Sequence, residues 1–180
     1  FPAEIVLVVS NIADAYGLKR AEAANIPAKV LPHKNYDSRE AFDEAAETLL
    51  REAGVELVCL AGFMRILSDG FVRRWEGKLI NIHPSLLPAY KGTHVHERVI
   101  AAGERVSGCT VHYVVPELDS GPAILQARVP VLESDTPDLL AARVIEAEHR
   151  IYPEALKKIA MECTLRKCGS TISHKDNRSD

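Results

Sequence analysis

The sequence contains no apolar run that approaches the roughly 20 residues needed to span a bilayer. Its first residues, FPAEIVLVV, lack the basic flank that is typical of a signal peptide. The formal net charge of -3 provides no electrostatic footprint for nucleic acid. These absences predict a cytoplasmic protein that has neither membrane nor nucleic acid as a partner.

Cysteine is sparse, and its four positions form no CxxC pair. Cys59 and Cys109 lie within apolar strand patterns, which favours reduced, buried thiols over a disulfide framework. The chain also lacks the GxSxG, HExxH and Walker sequences, which disfavours covalent serine catalysis, zinc proteolysis and P-loop phosphoryl transfer. His94 and His96 are separated by one residue, a spacing that could ligate a metal. No third ligand has a recognisable spacing, so we expect no metal.

What the sequence does contain is the pattern of one α/β domain. Continuous apolar runs at residues 5–9 and 55–61 are typical of strands buried on both faces of a parallel sheet. Between them, a helix is predicted to begin with Asp37 as its cap and to end at Gly54. We therefore expect an open, doubly wound, mostly parallel sheet in a domain that spans residues 1–166.

The second half of the chain predicts two further β segments and one long helix. The β segments cover residues 109–115 and 123–131. Asp135 or Thr136 caps the helix, and Pro153 ends or kinks it. Its core-facing positions are expected to be Leu140, Val144, Ala147 and Ile151. Residues 167–180 are polar and aperiodic, which predicts a loose or weakly hairpin-like tail.

The stretch LINIHPSLLP, at residues 79–88, places an amide and an imidazole two residues apart at the end of a strand. Asn81 and His83 therefore project from the same face, where they can meet a developing oxyanion. A carboxylate nearby would favour the protonated imidazole, and Asp119 lies in a loop bounded by glycine and proline. The structural alternative is that Asn81 caps a turn, His83 packs under a proline, and Asp119 begins a β-turn.

Three other charged positions have a binding interpretation and a simpler one. Arg65 lies in the otherwise apolar loop at residues 62–67, which suits a flat heteroaromatic ligand with an acidic tail, but the side chain can also extend to solvent. Arg39 is either a second carboxylate clamp or a solvated charge. Glu148 either accepts hydrogen bonds from sugar hydroxyls or is an exposed helix charge.

Four ordered blocks then identify a family. They are CLAGFMRILS at 59–68, INIHPSLLP at 80–88, ELDSGPAILQA at 117–127 and EHRIYP at 148–153. Together they resemble phosphoribosylglycinamide formyltransferase, the folate-dependent transformylase of purine synthesis. The similarity runs from about Val6 to the end of the last long helix.

The resemblance implies that the amine of glycinamide ribonucleotide attacks the formyl group of 10-formyltetrahydrofolate, with no covalent enzyme intermediate and no metal. It implies that Asn81 and protonated His83 stabilise the oxyanion, while Asp119 keeps His83 charged and relays a proton. Glu148 would meet the ribose hydroxyls. His112 lies near the site in relatives but also fits a core role, so it stays outside the predicted catalytic set. The implied folate-binding residues are Arg39, Met64, Arg65, Ile66, Leu67, Asn81, Val115, Pro116, Glu117, Leu118 and Asp119.

The chain departs from the family at its beginning. Relatives start with a strand, a G-x-G-S-N loop that binds the substrate phosphate and a helix, whereas this chain opens on what corresponds to their second strand. The departure leaves open a non-catalytic folate-binding remnant. A formyltetrahydrofolate hydrolase, in which water replaces the amine at the same site, is a further alternative to the transformylase. A methionyl-tRNA formyltransferase fits less well, because the sequence has no basic carboxyl-terminal domain for RNA.

Overall fold

The computed structural model describes residues 1–172, with side chains described through residue 163. Strands and helices alternate along most of the chain, as the sequence predicts for an α/β domain. The strands are β1 (Val8–Ser10), β2 (Ala28–Val30), β3 (Val58–Leu60), β4 (Leu79–His83), β5 (Val106–Tyr113) and β6 (Ala123–Pro130). The helices are α1 (Tyr16–Ala23), α2 (Arg39–Glu52), α3 (Asp69–Arg74), α4 (Val95–Ala101) and α5 (Pro137–Ile172), with a 3-10 turn at His33–Asn35.

The strands form two sheets. In the smaller sheet β1 pairs with β2 in parallel, and in the larger the order is β3-β4-β5-β6. The β3–β4 pair is parallel, whereas β4–β5 and β5–β6 are antiparallel. Within the described residues no ladder joins β1 to β3. The predicted α/β class with an open sheet is confirmed, and the antiparallel β5 and β6 make the larger sheet mixed.

The main hydrophobic core lies between the larger sheet and two helices, α4 and α5. Ile80 of β4, Val111 of β5 and Val144 of α5 are completely buried there. A second cluster packs α3 under the amino-terminal end of β4, through Phe71, Trp75 and their neighbours. Strand β4 is therefore covered by both clusters, which fixes the strand that ends in His83.

Helix α5 follows its predicted pattern at the start and exceeds it at the end. The Leu139 N–H lies 3.3 Å from Thr136 Oγ1, so Thr136 is the cap. The predicted core face, Leu140, Val144, Ala147 and Ile151, is buried and confirmed. Pro153 does not end the helix, because Ala155 and Ile159 beyond it are buried and offset the lost backbone hydrogen bond. Residues 167–172 are consequently helical and not a loose tail, and residues 173–180 lie outside the described residues.

Asp135, next to the cap, is held by a bidentate ion pair. The Arg143 guanidinium donates from Nη1 to Oδ2 at 2.6 Å and from Nη2 to Oδ1 at 2.9 Å. The Leu132 N–H adds a bond to Oδ2 at 2.8 Å. Chiefly through the Arg143 hydrogen bond, the pKa of Asp135 is lowered to about 2. The pair therefore joins the loop after β6 to the second turn of α5.

This pair predicts a pH dependence of stability. The pKa of Asp135 is lower in the folded than in the unfolded chain, so its stabilisation is complete above about pH 4 and is lost as the pH falls towards about 2. Urea unfolding of the wild type should therefore show a steeper fall in the free energy of unfolding across that window than unfolding of Asp135→Asn. Parallel pH profiles for the two proteins would contradict this role.

Helix α2 begins one residue later than the Asp37 cap implies. Ser38 is extended, and its Oγ accepts the Ala41 N–H at 3.0 Å, so Ser38 is the cap and the predicted Asp37 cap is wrong. Two carboxylates lie on the buried side of α2. Asp43 Oδ2 accepts the Ser68 N–H at 2.6 Å, and Glu47 accepts from Arg51 and Arg74.

The cysteine predictions are confirmed in part. Cys109 is fully buried, whereas Cys59, on the edge strand β3 of the larger sheet, is exposed. Cys59, Cys109 and Cys163, the cysteines whose side chains are described, are free thiols. Over residues 1–172, no helix combines the length and the apolar character needed to cross a membrane.

Candidate active site

The candidate site is built on one face of the β4–β5 ladder. Asn81 and His83 lie two residues apart on β4, so their side chains share a face. Across the antiparallel ladder, Asn81 is opposite His112 and His83 is opposite Thr110. Directly opposed residues project from the same face, so β5 adds a second imidazole beside the two predicted groups.

Thr110 supports the turn that follows β4. Its hydroxyl donates to the Ser85 carbonyl at 2.7 Å and accepts the Leu87 N–H at 3.0 Å. Gln126 of β6 donates to the same oxygen at 2.9 Å. These bonds fix the chain directly after His83, and the residues between β4 and α4 are therefore tied to the sheet.

Asp119 reaches this face from the loop between β5 and β6, as predicted. Its Oδ2 lies 3.4 Å from His83 Nδ1, and both side chains are more than nine-tenths buried. The Gly92 N–H donates to the same oxygen at 2.9 Å. Asp119 has a φ of 48°, a conformation that costs free energy in most residues and that aspartate tolerates better than most. Sequence reasoning correctly joined Asp119 to His83 but did not identify Gly92.

His83 has a hydrogen-bond acceptor beside each of its ring nitrogens. Nε2 lies 2.9 Å from the Tyr90 carbonyl, and Nδ1 faces the Asp119 carboxylate. Both neighbours accept hydrogen bonds and neither donates one. The ring lies on the same strand face as the Asn81 carboxamide, which has no hydrogen-bond partner among the described residues.

His112 is the residue that sequence reasoning held back. Its Nε2 lies 3.8 Å from Asp119 Oδ1, so one carboxylate stands between two imidazoles. Its Nδ1 donates to the Tyr113 carbonyl at 2.9 Å, and Nε2 has no hydrogen-bond partner in the described residues. Burial lowers the pKa of His112, which the Tyr113 carbonyl and Asp119 partly oppose. His112 belongs to the site because the strand register places it opposite Asn81. No local pattern in the sequence reveals that register.

Arg65 lies on an aromatic support. Its guanidinium is 5.6 Å from the centre of the Phe42 ring, and Phe42 stacks with Phe63 at 6.5 Å. The neighbouring side chains Met64 and Ile66 are 84% and 63% exposed. An arginine held over a ring beside exposed apolar side chains suits a ligand that carries both an aromatic body and a carboxylate.

The remaining predicted binding residues are spread over two helices and two loops. Arg39 is exposed in the first turn of α2. Glu148 of α5 is half-buried, and burial raises the pKa of its carboxyl. In the loop leading to Asp119, Val115 and Pro116 are half-buried, whereas Glu117 and Leu118 are exposed. Leu67, in the loop after β3, is half-buried.

The metal prediction concerns His94 and His96. His94 is exposed at the start of α4 with its Nδ1 3.4 Å from Glu97, and His96 is half-buried within the helix. Within the part of the chain that the structure describes, no group of three or more metal-binding side chains comes together.

Comparison with known proteins places this geometry in a family. Residues 1–156 match the family model described as formyl transferase. Trifunctional purine biosynthetic protein adenosine-3 of Gallus gallus is 58% identical over 158 residues, which are 88% of this chain and 16% of that protein. Phosphoribosylglycinamide formyltransferase of Haemophilus influenzae is 46% identical over 156 residues, which are 87% of this chain and 74% of that protein.

The fold is also similar to solved structures. The crystal structure of phosphoribosylglycinamide formyltransferase from Brucella melitensis aligns with a TM-score of 0.84 at 51% identity. The alignment covers 89% of this chain and 82% of that structure. The chain spans about a sixth of the length of the trifunctional relatives.

Proposed function

This chain belongs to the formyl transferase family, and on that premise we propose that it transfers the formyl group of 10-formyltetrahydrofolate to the amine of glycinamide ribonucleotide. The observation that carries the proposal is the Asp119 carboxylate, 3.4 Å from His83 on the strand face that also presents Asn81. Relatives named for this activity cover most of the chain.

The reaction needs a site for negative charge and a route for one proton. The substrate amine attacks the formyl carbon, and a C–N bond forms while the carbonyl electrons move to oxygen. The Asn81 amide and the His83 imidazolium donate hydrogen bonds to that oxyanion. The bond to the folate nitrogen then breaks, and Asp119 accepts the proton from the amine and passes it towards the departing nitrogen.

His83 Nδ1 is the donor available to the substrate. The Nε2 end is fixed by the Tyr90 carbonyl at 2.9 Å, whereas the Nδ1 end is 3.4 Å from Asp119. That separation is longer than the 2.7–2.9 Å typical of a charge-assisted hydrogen bond. An oxyanion placed beside Nδ1 can therefore share this proton, while the Asp119 carboxylate continues to stabilise the positive ring.

The folate is proposed to lie between two loops. Met64, Ile66 and Leu67 line one side of the pterin, and residues 115–119 line the other. Arg65, supported by Phe42, receives a carboxylate of the glutamate tail, and Arg39 provides a second positive charge. Glu148 accepts hydrogen bonds from the ribose hydroxyls of the nucleotide, in keeping with a half-buried carboxyl that has no hydrogen-bond partner in the described residues.

The break between the sheets favours a second candidate, folate binding without transfer. No ladder pairs β1 with β3 in the described chain. The carboxyl ends of the strands in the two sheets therefore do not form one continuous sheet edge. Ligands of α/β proteins collect at such an edge. If the nucleotide phosphate needs that edge, the chain binds folate without binding the ribonucleotide.

Product analysis distinguishes these activities. The 180-residue chain is supplied with 10-formyltetrahydrofolate and glycinamide ribonucleotide. We expect it to form formylated ribonucleotide at least about tenfold faster than it releases formate, because the bound amine is held against the formyl carbon. Chromatographic measurement of both products, with and without the ribonucleotide, provides the test. Formate release that is unchanged by the ribonucleotide would identify a hydrolase. Folate binding with neither product would identify the remnant.

The proposed chemistry needs small molecules and no metal ion, because it assigns the stabilisation of charge to Asn81 and His83. We place the reaction in the cytoplasm, which the free thiols of the described cysteines support. Neither nucleic acid nor membrane has a part in it.

A further inference from the structure

The segment between β4 and α4 contacts both central residues of the site through its backbone. The Tyr90 carbonyl accepts from His83 Nε2 at 2.9 Å. Two residues later, the Gly92 N–H donates to Asp119 Oδ2 at 2.9 Å. The distance between His83 and Asp119 therefore depends on the conformation of residues 90–93, which we call the clamp loop.

The clamp loop has an unfavourable backbone conformation. Tyr90 has a φ of 54°, Gly92 of 79° and His94, directly after the loop, of 56°. Glycine adopts such angles freely, whereas tyrosine and histidine adopt them at a cost in free energy. A segment of this kind keeps its conformation only when neighbouring groups hold it, so the structure must contain those groups.

Arg98 of α4 is the side chain that spans the clamp loop. Its Nη1 donates to the Lys91 carbonyl at 2.7 Å and to the Thr93 carbonyl at 3.3 Å. Its guanidinium also lies 5.4 Å from the centre of the Tyr90 ring. One planar group thus contacts three of the four loop residues, which a flexible ammonium group does less well.

The loop has two lesser attachments. The Tyr90 hydroxyl donates to Glu104 at 2.8 Å, and Lys91 Nζ donates to Ser120 Oγ at 2.6 Å, next to Asp119. Both are exposed, and neither contacts a carbonyl of the clamp loop. Arg98, in contrast, donates directly to backbone carbonyls of the clamp loop, which adds to the bonds that His83 and Asp119 make with that backbone.

We propose that Arg98 is a positioning residue, which holds the clamp loop so that its backbone aligns His83 with Asp119 for the formyl transfer. The proposal rests on the function proposed above only for its effect on turnover. Arg98 touches neither of the two residues, so its removal acts through Tyr90 and Gly92.

The test compares Arg98→Met with Arg73→Met, which removes an exposed arginine of α3 that has no side-chain hydrogen bond or ion pair in the described residues. For Arg98→Met, we expect kcat to fall about tenfold, with KM for folate changed less than about twofold. Arg98→Lys, which keeps the charge and a donor, should recover part of the loss. Arg73→Met should retain the wild-type kcat.

A second measurement decides the inference without any turnover. Amide hydrogen exchange of Gly92 should be at least about tenfold faster in Arg98→Met, and the His83 ring proton on Nε2 should exchange faster with water. We expect thermal unfolding to show that Arg98→Met remains folded. Wild-type exchange at both positions would overturn the proposal. If the wild-type chain forms no product, the proposed function fails, and the exchange measurements still decide the role of Arg98.

Discussion

Replacing His83 with alanine is expected to lower kcat for formyl transfer by about 10²- to 10³-fold, the usual cost of removing one donor from an oxyanion site. The variant loses the Nδ1 group beside Asp119 and the Nε2 bond to Tyr90. Steady-state kinetics with the ribonucleotide as acceptor gives the rate. We expect the fold to survive the substitution, and the thermal midpoint of unfolding tests this.

A matched substitution separates this effect from the loss of any histidine. His149→Ala removes an exposed imidazole of α5 and should retain the wild-type rate. If His83 and Asp119 act as a unit, combining His83→Ala with Asp119→Asn should cost less than the product of the two single losses. A His83→Ala variant with full turnover would end the proposed mechanism.

Replacing Gly121 with alanine is expected to cost about 1–3 kcal/mol of stability, and to lower turnover roughly tenfold or more. An added Cβ would lie 1.8 Å from the Tyr113 carbonyl oxygen and 2.8 Å from its carbon, which are backbone atoms without rotamers to relieve the overlap. Tyr113 is also fixed by its N–H bond to Pro122. The loop must therefore shift, and it carries Asp119 with it.

Gly17→Ala provides the matched control. Nothing lies within 4 Å of a Cβ added at Gly17, which is the second residue of α1. This exchange should raise the free energy of unfolding by up to about 1 kcal/mol, because alanine favours the helix. Urea unfolding of both variants gives the comparison. An equal or higher stability for Gly121→Ala would show that the loop tolerates the added methyl group.

Local patterns in the sequence were sufficient for several elements of the site. Strand alternation placed Asn81 and His83 on one face, and glycine and proline marked the loop of Asp119. The apolar face of α5 was equally readable, because the helical period is a local property. The family inferred from four motif blocks is confirmed by a match over residues 1–156.

Features that depend on contacts between distant residues were not predictable from local patterns. His112 joins the site because the β4–β5 register sets it opposite Asn81. On α2, apolar periodicity predicts the core face but misses buried Asp43 and Glu47, whose partners Ser68 and Arg74 come from another segment. Glu47 also pairs with Arg51 one turn along α2, but the donors from Ser68 and Arg74 that complete the burial of these carboxylates have no signature near α2 in the sequence.

One hydroxyl connects α5 to strands β3 and β4. Tyr152 of α5 donates to the Leu60 carbonyl at 2.6 Å and lies 3.3 Å from the Ile80 carbonyl, next to Asn81. Burial raises the pKa of this phenol, so it stays a donor across the physiological range. A substitution that shifts α5 against the larger sheet is therefore also expected to move the strand that presents Asn81 and His83.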